Sequence, residues 1–156
     1  MPAEAIASVI AVLGTLLGVG VTHAFQRRAL ARSEAFARDE RLRQERMDAY
    51  SSYAGTLINY RRSLIERRML DDGHDFEDDA TAMRARSYDL RTQAYEALFR
   101  VQMVTDMPAL AAQAQEALDV VALIHKADDE GEFVARRDAA KQRIYAFVAA
   151  AKVHVS

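Results

Sequence analysis

Residues 5–26, "AIASVIAVLGTLLGVGVTHAFQ", form an unbroken run of 22 residues without Asp, Glu, Lys or Arg. As a helix rising about 1.5 Å per residue, the run reaches about 33 Å, close to the roughly 30 Å hydrocarbon core of a bilayer. Between Ile6 and Val21 the only hydroxyls are Ser8 and Thr15, so no face of that helix is polar. A helix that is apolar all round needs a large core or lipid around it. The remaining residues are a thin supply for wrapping it, so a single membrane span is expected over 1–26.

The flanks bear on the alternatives and on orientation. A cleaved signal wants a basic start, but this chain opens Met-Pro-Ala-Glu. The small-x-small step Ala29-Leu30-Ala31 falls after Arg27 and Arg28, where a cleavage region should not be basic; Thr22-His23-Ala24 is a weaker cleavage candidate. No Lys or Arg precedes the run, whereas Arg27, Arg28, Arg32, Arg38, Arg41, Arg43 and Arg46 follow it closely. That bias places the short N-terminus outside and the rest in the cytoplasm, in a cell inner (plasma) membrane. Gly14, Gly18, Gly20, Thr15, Thr22 and His23 dilute the run, so its insertion is favourable but not strongly so.

Gly14 and Gly18 make a GxxxG step, extended at the same spacing by Ala7, Ala11 and Thr22. Small side chains at that spacing let two helix backbones approach in lipid, which implies a homodimer or homo-oligomer, or a membrane partner. The plainer reading is an ordinary span in an Ala/Gly-rich chain. Arg27, Arg28 and Arg32 stand where anionic headgroups would be, as topology determinants with about 1 kcal/mol of headgroup attraction each.

Residues 27–46 read as a charged helical stalk. Glu34 with Arg38 and Asp39 with Arg43 are i,i+4 pairs in the favourable order. Large apolar residues are sparse there; a short parallel coiled coil is open to the stalk if the span dimerises, although its heptads are poor. Residues 47–156 read as a cytoplasmic helical bundle. Breaks fall at Asp71–Asp75, at Thr105-Asp106-Met107-Pro108, and at Asp128–Phe133, giving helices at roughly 34–70, 77–105, 108–127 and 131–153. Gly73 suits a helix end, and Asp75 with Asp78, then Asp106 and Asp129, are expected N-caps.

Apolar residues recur at three and four. The expected core is Met47, Tyr50, Ala54, Leu57 and Leu64; then Met83, Ser87, Leu90, Ala94, Leu98 and Val101; then Leu110, Ala114, Leu118, Val121 and Ile124; and last Phe133, Ala140, Ile144, Phe147 and Ala151. The tyrosines on the first two bundle helices are also expected in or beside it. Short loops make neighbours antiparallel. The fold class is therefore all-α: a single transmembrane helix, a charged helical stalk and an antiparallel bundle.

Function classes are excluded more firmly than assigned. The chain has no cysteine, so disulfides, thiolate catalysis and Cys-based metal sites are out. Net charge is -2, which argues against nucleic acid. No Glu has His three residues later, and no H-E-x-x-H, P-loop or G-x-S-x-G occurs. The acidic loop around His74 lacks EF-hand spacing and reads as helix capping. His125 reads as packed or at a rim, and His154 as part of a frayed tail. No catalytic residue, cofactor or metal is expected. The layout resembles bacterial single-pass membrane proteins. The expected partners are the lipid bilayer, a second copy and a cytoplasmic protein. A membrane-tethered ligand-binding or enzymatic bundle and a membrane-active oligomer are the alternatives.

Overall fold

A computed structural model describes the backbone of residues 2–71 and 80–155, and the side chains of residues 30, 32–69 and 81–155. The described residues are almost all helical, with no strand among them. The order is α1 (Pro2–Asp71), α2 (Ala80–Val104), α3 (Pro108–Ala122), a 3-10 turn (Ile124–Lys126) and α4 (Glu130–Val155). The chain divides into two compact units, Met1–Arg41 and Leu42–Ser156. The expected span, stalk and first bundle helix are thus one backbone helix, since no proline or cap interrupts them after Pro2.

In the first unit, the described side chains from Arg32 to Arg41 are all exposed, Phe36 among them at 73 %. Among the described residues no helix is long and apolar enough to cross a membrane. The stretch 5–26, with Gly14 and Gly18, lies outside the residues whose side chains are described.

The second unit is a bundle around one core. Tyr53, Leu57 and Leu64 of α1 meet Leu98 and Val101 of α2, Leu118 and Val121 of α3, Ile124 of the turn, and Phe147 of α4. Fully burying a leucine contributes about 1.5–3 kcal/mol. Ala114 and Ala117 are fully buried and let neighbouring helices approach α3 closely. Every residue of the three-four series named above is buried except Met47 and Leu90; of the tyrosines, Tyr50, Tyr53 and Tyr60 are buried and Tyr95 half-buried, but Tyr88 is 62 % exposed and stands outside the core. Leu90 is half-buried against the core, but Met47 is 41 % exposed.

Two helix starts follow different chemistry. Asp129 caps α4: its Oδ1 accepts the Glu132 N–H at 2.7 Å, as the spacing predicts. The Glu132 carboxylate returns to the Asp128 N–H at 2.7 Å. Asp106, by contrast, does not cap α3. The N-cap is Met107, extended at φ -102° and ψ 106° with no side-chain cap, as the residue before a proline prefers. Asp106 is drawn instead to Arg46 of α1 at 3.2 Å. α3 also stops earlier than expected, at Ala122. The chain tightens there into the 3-10 turn, with the Lys126 N–H on the Leu123 carbonyl at 3.1 Å. The expected caps Asp75 and Asp78, and His74 between the first two helices, lie outside the described residues.

Candidate interaction surface

α1 and α4 run antiparallel. Arg43 Nε donates to the Val155 carbonyl at 2.7 Å, and Arg61 Nε donates to the Arg137 carbonyl at 3.2 Å. On the inner side of this pair, Phe147 meets Tyr53 edge-on at 5.2 Å and Tyr50 at 6.1 Å. The outer side is open. A groove of about 530 Å³ runs along the seam, walled by Met47, Ser51, Gly55 and Ile58 of α1 and by Val148 and Lys152 of α4.

The groove is apolar and exposed together. Met47 is 41 % exposed, Ile58 52 % and Val148 42 %. A Cβ built on Gly55 meets nothing within 4 Å, so no packing among the described residues requires a glycine there. Glycine in a helix interior costs about 1 kcal/mol relative to alanine. Met47 was expected in the core because it shares the three-four spacing; it belongs to this wall instead.

The end of the bundle where α1 enters carries a polar clasp. Arg46 Nε donates to the Val104 carbonyl at 3.0 Å, and its guanidinium also reaches Asp106 at 3.2 Å. His154 Nε2 stands 3.1 Å from the other Asp106 oxygen, without the alignment of a hydrogen bond. Its ring lies 6.2 Å from that of Tyr50. His154 is therefore not in a frayed tail, because α4 continues to Val155 and packs on α1. A smaller cleft of about 300 Å³, lined by Leu42, Arg46, Met103 and Asp106, adjoins the clasp.

Apart from this clasp, the titratable groups with shifted pKa among the described residues are spread over the bundle. Burial, with Asp119 next, pushes the Tyr53 phenol up, and its proton is committed to the Ala114 carbonyl at 2.6 Å. Tyr95 packs beside Phe99, with the Arg91 guanidinium 5.7 Å above its ring. His125 is exposed on the 3-10 turn, where partial burial and then Arg67 push its pKa down. Among the described residues no three His, Cys, Asp or Glu side chains are placed to share a metal ion. The basic cluster late in α1 is drawn into local contacts: Arg62 pairs with Glu66 at 2.6 Å, and Arg68 donates to the Ala127 carbonyl at 3.2 Å.

Of the residues singled out from the sequence, Arg32 is exposed on α1, while the side chains of Gly14, Gly18, Arg27 and Arg28 lie outside those described. The groove was not foreseen. Its only signal in the sequence was the heptad-like series Gln44, Asp48, Ser51, Gly55, Ile58 and Arg62, a seam too polar to read as core.

A family model described as the KilB plasmid transfer protein matches residues 47–155, the helical bundle. No curated protein matches the chain, and no solved structure does.

Proposed function

The chain belongs to the KilB plasmid transfer protein family, and from that premise we propose that it serves plasmid transfer as a non-enzymatic docking module. The module is held at the cytoplasmic face of a bacterial inner membrane. The observation that carries this reading is the open apolar groove between α1 and α4, whose described lining holds no Asp, Glu or His. A bundle that worked as a catalyst would need such groups within reach of one bound atom.

Membrane attachment is supported by the sequence. The uncharged run 5–26 matches a bilayer core in length, and Arg27, Arg28 and Arg32 follow it as the cytoplasmic charge that fixes orientation. Gly14 and Gly18 let two spans approach each other in lipid. The N-terminus is outside and the bundle is cytoplasmic.

Alkaline extraction of membranes from cells expressing the full chain tests this. The protein stays with the membrane pellet, and a chain lacking residues 5–26 moves to the supernatant. Release of the full chain by alkaline carbonate would refute the span. A second reading, a tethered ligand-binding bundle, draws on the groove volume, which lies in the 300–1,000 Å³ range of small-molecule sites. Saturable binding of an apolar small molecule, lost on Val148→Glu, would favour that reading.

A further inference from the structure

We propose that the α1–α4 groove is covered by the same groove of a second copy of this chain, in a two-fold pair whose α1 helices run parallel. The proposal rests on reading the groove as a docking face, and in its parallel sense on the anchoring of both copies in one bilayer.

The first support is shape. Buried Tyr50, Ala54 and Ala151 line the groove together with exposed Met47, Ser51, Gly55, Ile58 and Val148, so buried and exposed side chains share one open face. Gly55 has open space above it, so its missing side chain serves an approach from outside. A largely apolar groove exposed on a bundle surface is the kind of patch that marks an interface.

The second support is charge at matched levels. The Arg43–Val155 and Arg61–Arg137 bonds fix the register of α1 against α4. Asp48 then lies level with Lys152, and Arg62 level with Asp138, all four exposed. A two-fold axis parallel to α1 brings α1 of one copy against α4 of the other at the same level. Asp48 meets Lys152 of the second copy, and Arg62, which also holds Glu66 of its own chain, meets Asp138 of the second copy, which also accepts from its own Arg137. Each pair occurs twice by symmetry, so complementary charges close both ends of the groove. The same axis puts the two Leu42 ends of the bundle on one side, as two chains in one bilayer require.

Charge swaps test the pairing. Asp48→Lys and Lys152→Asp chains are each made in full length, carried in detergent and given different tags. In the proposed pair, each variant alone sets like charges against each other twice. Self-association of either variant therefore weakens about tenfold or more. The two variants mixed restore both contacts, so they copurify with one another in preference to themselves. Gly14→Ile with Gly18→Ile, made in the same backgrounds, leaves that preference unchanged, which separates the groove from contact between spans.

A wild-type chain that stays monomeric across the concentration range overturns the proposal and leaves the groove to a different protein. Association insensitive to both swaps overturns it in favour of the span. An Asp48→Lys defect rescued by Arg62→Asp rather than by Lys152→Asp sets α1 against α1 and overturns the parallel pair. Alkaline extraction, read separately, reports on anchoring, so failure of the anchor and failure of the pair are distinct results.

Discussion

Tyr53 of α1 donates its hydroxyl to the Ala114 carbonyl of α3 across 2.6 Å, in a site with no exposure to solvent. Tyr50, almost one turn earlier on the same helix, is also buried, yet its hydroxyl finds no partner among the described residues. Two tyrosines on one face thus make opposite contributions. One ties α1 to α3 through a satisfied polar contact. The other packs its ring edge-on against Phe147 and keeps an unanswered hydroxyl.

Removing each hydroxyl separates the two effects. Tyr53→Phe forfeits a buried hydrogen bond and lowers stability by about 1 kcal/mol or somewhat more. Tyr50→Phe removes an unpaired polar atom and leaves stability unchanged or slightly higher. Urea unfolding of the full chain in detergent reads both. Equal losses for the two variants would contradict the assignment.

Gly55→Ala raises the stability of the chain by about 0.5–1 kcal/mol, because the added methyl has open space and alanine loses less entropy in a helix. Thermal unfolding of the isolated variant reads this gain. A loss of stability would mean that Gly55 serves packing within the chain.

Glu132 gives the start of α4 its pH dependence. The Asp128 N–H and then Arg136 hold its carboxyl below the usual carboxylate range. Its folded pKa is thus lower than its unfolded one. The stability it contributes is complete above the unfolded value of about 4.3. It is lost as pH falls through the depressed folded value. Glu132→Gln therefore unfolds more readily than wild type near neutral pH, and the gap narrows in acid. Unfolding midpoints across pH 7 to 3 check it, and a constant gap would exclude the carboxylate as the source.

The three-four spacing showed the inward faces of the bundle helices well, because burial of large apolar side chains dominates there. Leu98, Leu118, Ile144 and Phe147 are all buried as that spacing requires. Periodicity cannot tell a face with a neighbour from one without, and so Met47 looked like core although the described residues leave it 41 % exposed. Asp106 looked like a cap because its residue type and position suit one. Long-range attraction to Arg46 and the backbone preference before Pro108 decided otherwise. His154 looked frayed because the chain ends there. The Arg43 bond to Val155 and the packing against Tyr50 hold that end in place. The groove depends on how α1 and α4 pair across 76 to 112 residues of sequence, a relation that no local pattern carries.

The central claim is that this bundle works from the cytoplasmic face of a membrane. The most direct measurement fuses the full chain at its C-terminus to a reporter active only in the cytoplasm and fractionates the cells. The account predicts that the active reporter is found in the membrane fraction and is lost from it when residues 5–26 are deleted. An active reporter in the soluble fraction, or an inactive one carried across the membrane, would contradict it.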